Sequence, residues 1–157
     1  MEQVEYAVML FDPKNEKTAE LIKQLAKGKN GNGLDLAMGA YSTEVAAITG
    51  WPEGMFKPSK EAPVCVAFTK DMAVLGFITI AVDTVNKITF TEHVYVRPEV
   101  RKKGVYKLMM KRIEKFAKDT KCERIVSFVF DKNDVSKKAH KKTGFKPVMR
   151  GYSKEVK

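Results

Sequence analysis

Three cationic side chains, Arg101, Lys102 and Lys103, stand directly before Gly104, and an amphipathic pattern begins at once behind them. The start of a helix exposes free N–H groups and the positive end of the peptide dipole, which favour anions and disfavour cations. Cations crowded at such a place are accounted for by a strong anion that outweighs the dipole. The spacing is neither that of a Walker A loop nor G-x-G-x-x-G, so these motifs leave the anion unassigned. A second group follows in "NDVSKKAHKKTGF", where Ser136 and His140 are four residues apart and share one helix face. Asn133 sits at the strand-to-helix switch, where its amide can cap the helix or bond a ligand. On periodicity alone His140 reads as a surface histidine on a lysine-rich helix. Glu92, within "KITFTEHVYV", reads either as a general base or as a strand carboxylate paired with a lysine. A regular strand points His93 to the face opposite Glu92 and ranks it second as a base, whereas a bulge reverses that order.

The charge distribution agrees with an anionic partner. The net charge is +10, and residues 97–157 hold 20 Lys and Arg against 7 Asp and Glu, while residues 1–96 hold 9 against 12. Such asymmetry fits a nucleotide-like cofactor, nucleic acid or an acidic surface, or else a solvated lysine-rich face. The apolar fraction of 44% in 157 residues suits one domain with a real core, spanning 1–157. No apolar run reaches the roughly 18 residues of a membrane span, and the start lacks the pattern of a signal peptide. Cys65 and Cys122 have no metal-ligand spacing and form no disulfide framework, and His93 and His140 lie far apart in the chain. No metal is expected, and a cytoplasmic location is.

The elements that must position these residues follow from the apolar spacing. A first strand is predicted over Val4–Phe11, then a helix capped by Asp12-Pro13 with its stripe on Ala19, Ile22, Leu25 and Ala26. Short helices are predicted around Leu36–Met38 and Thr43–Ile48. Three strands come next as a meander, at 64–68, 73–82 and 87–96. The helix behind Gly104 buries Val105, Leu108, Met109, Ile113, Phe116 and Ala117, and "RIVSFVF" (124–130) reads as a strand covered on both faces. A short helix to Lys142 and one or two closing strands complete a mixed α/β domain, a central twisted mixed sheet of six to seven strands flanked by about four helices.

The combination of "EHVYVRPEVRKKGVY" with Asn133, His140, Gly144 and Phe145 at their spacing resembles the GNAT acetyltransferase superfamily. The first stretch matches the acyl-CoA signature R/Q-x-x-G-x-G/A after its strand; the second matches a later family motif. Tyr106 stands where the family has a small residue, and His140 where it has a tyrosine. The resemblance implies an acetyl-CoA-dependent N-acetyltransferase. Val94, Tyr95 and Val96 would pair with the pantetheine arm, and the backbone of Lys102, Lys103, Gly104, Val105, Tyr106 and Lys107 would wrap the pyrophosphate. Arg101, Lys102, Lys103 and Lys141 would add charge, and Asn133 and Ser136 would also contact the cofactor. Glu92 would be the general base, acting through a water, and His140 would protonate the departing thiolate. An acceptor groove would include Tyr41, Trp51 and Phe56 with Pro52 and Pro58. The acceptor would be a primary amine of a protein or small molecule, and the protein is expected to be a monomer or homodimer. Alternatives are an RNA- or aminoacyl-tRNA-directed acetyltransferase, or an inactive GNAT-like binding protein.

Overall fold

The structure is a computed structural model and describes residues 4–156. In chain order the elements are β1 (Tyr6–Phe11), α1 (Glu16–Lys27), α2 (Leu34–Thr49), β2 (Val64–Thr69), β3 (Val74–Asp83), β4 (Ile88–Val96), a 3₁₀ turn (Pro98–Val100), α3 (Val105–Asp119), β5 (Arg124–Ser127) and α4 (Asp134–Lys142). The strands lie in the order β1-β2-β3-β4-β5. β1 to β4 pair with one another antiparallel, and β5 joins β4 in parallel.

Helix α1 starts later than Asp12-Pro13 suggests, because Asn15 is the residue whose side chain accepts from Lys17 N. Asp12 instead closes a turn by accepting from Lys14 N. Helix α2 is one 16-residue helix rather than two short ones. Gly39 and the polar "YSTE" break its periodicity in the sequence, yet Leu34, Ala37, Met38, Tyr41 and Val45 form one buried stripe across the break. It ends at Gly50, whose φ of 72° allows its N–H to reach Ala46 O.

The sheet separates two apolar layers. On one face Phe11, Val64, Val66, Phe68, Phe77 and Tyr95 pack with α1 and α2 residues. On the other, Cys65, Ala67, Leu75, Ile78 and Ile80 pack under α3 through Val105, Met109, Met110 and Ile113. Leu108, expected in that stripe, is instead 44% exposed. Gly76 lies where the two layers come close: a Cβ there would stand 2.7 Å from Tyr95 O and 3.1 Å from Met109 Cε.

Two sequence expectations about strands are corrected. The sheet has five strands among the described residues, not six or seven. Residues 146–156 belong to no strand, and Pro147 and Gly151 interrupt the alternation there. Their apolar side chains find no face to bury, with Met149 81% and Tyr152 89% exposed. The run over 124–130 also leaves the sheet early, since β5 ends at Ser127. Phe130 turns instead into an aromatic group with Trp51 and Phe56, at centroid distances of 6.5 and 4.8 Å.

Candidate active site

The early end of β5 opens the sheet. Its register with β4 runs from Ile88–Arg124 to Thr91–Ser127 and stops there, so Glu92–Val96 of β4 have β3 on one side only. Arg97 N donates to Leu75 O at 2.8 Å across the β3–β4 ladder. By the two-residue alternation of a strand, Tyr95 then faces β3 and the backbone groups of Val94 and Val96 face the open side. Val94 therefore offers an N–H and a C=O to an extended ligand.

A β-bulge stands where the two strands part. Thr79 is opposite His93 and Ile80 opposite Thr91, which leaves Glu92 as the extra residue. Thr79 Oγ1 takes the His93 N–H at 3.1 Å. The bulge turns His93 to the α2 face while Thr91, opposite Ile80, keeps the α3 face. His93 is half-buried, and its Nδ1 lies 3.0 Å from Tyr41 Oη. The rings meet edge to face at 5.3 Å. Burial lowers the His93 pKa below its ordinary 6.5, and the neighbouring Glu92 carboxylate opposes this. Burial pushes the Tyr41 phenol up to about 12, with Glu44 adding to the shift. At neutral pH the pair is an uncharged imidazole beside an intact phenol. Glu92 itself is exposed.

The start of α3 has the form of an anion site. Gly104 caps the helix with φ 88°, and no side chain caps its N–H groups. Leu108 N bonds Gly104 O, leaving Val105, Tyr106 and Lys107 without intrahelical acceptors. Lys102 also has a positive φ of 63°, so the loop folds over on itself just before the helix. Lys102, Lys103 and Lys107 are exposed. Nothing lies within 4 Å of where a Cβ on Gly104 would stand. A phosphate-bearing ligand with an extended polar arm fits these groups: open space and free amides at the helix start, then the free edge of β4.

Tyr106, which replaces a small residue, turns away from this loop. Its ring packs 5.6 Å from the His140 ring and its hydroxyl lies 3.4 Å from Thr143 Oγ1. Arg101 also turns inward: Nε donates to Val96 O and Nη2 pairs with Glu44.

His140 is 6% exposed, not a surface residue. Its Nδ1 lies 2.7 Å from Ser136 O and its Nε2 2.6 Å from Ser127 Oγ. A carbonyl only accepts, so Nδ1 carries the proton and Nε2 accepts from the Ser127 hydroxyl. In this tautomer Nε2 carries no proton toward the parting strands, and the ring instead holds the Ser127 hydroxyl in place. Asn133 caps α4 by accepting from Ser136 N at 3.1 Å, and Lys141 is exposed. The sequence reading missed Ser127 and Glu44. A hydroxyl at the end of a strand and a carboxylate within a helix carry no motif.

Burial lowers the His140 pKa, while the Ser136 carbonyl opposes this. The unfolded chain then binds the proton more readily than the folded one. The stability this provides is complete above about pH 6.5 and is lost as pH falls through the depressed folded value. His140→Ala is expected to lower stability by about 2–3 kcal/mol at pH 7.5, through the void and the unpaired Ser127. Urea unfolding at pH 7.5 and 5.5 checks both points: the variant should lose part of the acid sensitivity as well.

The sequence profile described as the acetyltransferase (GNAT) family matches residues 35–145. No curated protein matches by sequence. Among solved structures, the chain is similar to AAC(6')-Iy in complex with the bisubstrate analogue CoA-S-monomethyl-acetylneamine, at 19% identity and a TM-score of 0.59, covering 98% of this chain and 99% of that one. A ribosomal-protein-alanine N-acetyltransferase from Brucella melitensis biovar Abortus 2308 gives a TM-score of 0.63 at 12% identity, over 98% and 100% of the two chains. The aminoglycoside 6'-N-acetyltransferase AAC(6')-Ih from Acinetobacter baumannii gives 0.55 at 17% identity, over 98% and 99%.

Proposed function

Because the chain belongs to the acetyltransferase (GNAT) family, whose acyl donor is acetyl-CoA, we propose that it transfers the acetyl group by direct attack of a primary amine of a small molecule or protein. The observation that carries this reading is the gap between β4 and β5, which joins a free strand edge to an uncapped helix start. Acetyl-CoA supplies an activated thioester carbonyl. The N–H groups of Val105, Tyr106 and Lys107 hold its pyrophosphate, with Lys102, Lys103 and Lys107 adding charge. Val94 binds the pantetheine arm through its backbone.

His93 is the base in this reading, with Glu92 beside it. The bulge brings the imidazole to the α2 face, and burial keeps it neutral and able to accept a proton near pH 7. With Nδ1–H donating to Tyr41 Oη, Nε2 presents its lone pair to the ammonium of the acceptor. Glu92, exposed next to it, attracts that ammonium and stabilises the imidazolium once formed. Neutral, with its only proton on Nδ1, His140 has none on Nε2 to give the thiolate and orients the Ser127 hydroxyl instead. The thiolate leaves with the second proton shed by the attacking amine, the first having gone to His93. Trp51, 40% exposed and stacked on Phe56 at 5.0 Å, forms the apolar side of the acceptor groove.

Radiolabelled acetyl-CoA with a panel of aminoglycosides and peptides bearing N-terminal alanine tests the reading. Transfer of label to at least one amine, rising with pH through the His93 pKa, is expected. No transfer to any amine at millimolar acetyl-CoA contradicts it.

A further inference from the structure

Arg101 carries the first of the three charges before Gly104, yet the fold commits its guanidinium to the protein. Nε donates to Val96 O at 2.9 Å, Nη2 to Glu44 Oε2 at 2.6 Å, and the cation lies 5.9 Å from the centroid of the Tyr95 ring. A planar fork held from three directions has little freedom left. The Glu44–Arg101 pair is also the most enclosed ion pair among the described residues, with side chains 35% and 30% exposed. It is therefore less screened than the lysine pairs on the surface.

The position of these contacts gives them a task. Val96 is the last residue of β4, and Arg101 lies three residues before the glycine that opens α3. The bond from Arg101 to Val96 O closes the two ends of that loop on each other. Between them Val100 N reaches Arg97 O and Arg101 N reaches Pro98 O, and Lys102 and Gly104 bend the chain with positive φ. The direction of the Val105, Tyr106 and Lys107 amides thus depends on where Arg101 is held. Glu44 holds it from α2, three residues beyond Tyr41, which touches His93. One helix braces both the strand bulge and the phosphate loop.

We propose that Glu44 is a positioning residue for the cofactor loop, acting through Arg101 to aim the amides at the start of α3. This rests on the acetyl-CoA site proposed above. It makes the opposite prediction from a simple charge argument. If Glu44 only competed with phosphate for Arg101, removing its charge would free a cation and tighten binding.

Isothermal titration with acetyl-CoA decides between them, using the wild-type protein, Glu44→Gln, Glu44→Asp and Arg101→Lys, with a thermal melt of each. Glu44→Gln should weaken affinity about tenfold, and Glu44→Asp should restore most of the loss. Arg101→Lys should weaken it to a similar degree, since lysine lacks the fork that spans Val96 and Glu44. Melting temperatures should stay within a few degrees of wild type, roughly what one partly enclosed ion pair contributes. Affinity in Glu44→Gln equal to or tighter than wild type overturns the proposal while leaving the site intact. So does a loss that Glu44→Asp fails to restore or that follows the melting temperature. Failure of the wild-type protein to bind acetyl-CoA overturns the site itself.

Discussion

His93→Ala is expected to lower kcat by about 10²–10⁴-fold, with affinity for acetyl-CoA held within about twofold of wild type. The imidazole stands at the bulge, on the α2 face of the sheet, and the groups proposed to hold the cofactor lie along the β4 edge and at the start of α3. Removing the ring should therefore separate proton transfer from cofactor binding. Glu92→Gln should cost less, about tenfold, because it removes a charge beside the base and not the base. The pH profile of kcat/KM distinguishes the two. Burial places the His93 pKa below 6.5 and Glu92 opposes that shift, so Glu92→Gln should move the acidic limb to lower pH. If Glu92→Gln abolishes turnover and His93→Ala spares it, the carboxylate is the base. Steady-state kinetics with the best amine of the labelled panel makes this comparison.

Gly104 governs the second large effect. Its φ of 88° lies in the left-handed region, where an ordinary side chain costs about 1–2 kcal/mol. Space is not the obstacle, since a Cβ there would meet nothing within 4 Å. Asparagine tolerates this backbone better than most residues, so Gly104→Asn should weaken acetyl-CoA binding only several-fold. Gly104→Asp has almost the same shape and adds a negative charge among the amides that would face phosphate. A loss of about 100-fold or more is expected, shrinking as salt is raised. Calorimetry of the two variants at low and high salt isolates the charge from the strain. Equal affinities for Asn and Asp would mean that no anion binds at this helix start.

The uncapped helix start was legible because its signals are local. Three cations before a glycine, then an amphipathic stripe, specify a helix start with unusual charge, and α3 begins there. The resemblance drawn from the strand before it and from the Asn133 motif is borne out by the family match. The bulge was not legible, because "ITFTEHVYV" gives no sign that the register slips at Glu92. What marks it is the Thr79 hydroxyl on the neighbouring strand, a long-range contact. The inward turn of Arg101 depends on Glu44, which lies 57 residues away in the chain. The early end of β5 depends likewise on Trp51 and Phe56, which draw Phe130 out of the sheet. Periodicity reports which face a residue prefers, but not which distant partner will claim it. For the same reason an apolar run read as a strand of seven residues yields one of four.

A crystal structure of the protein grown with coenzyme A tests the central claim most directly. The expected map places the pyrophosphate within hydrogen-bond distance of the N–H groups of Val105, Tyr106 and Lys107, with the pantetheine arm paired to Val94 and the sulfur directed toward the bulge at Glu92 and His93. Coenzyme A bound elsewhere, or β4 and β5 closed on each other with the arm excluded, would contradict it.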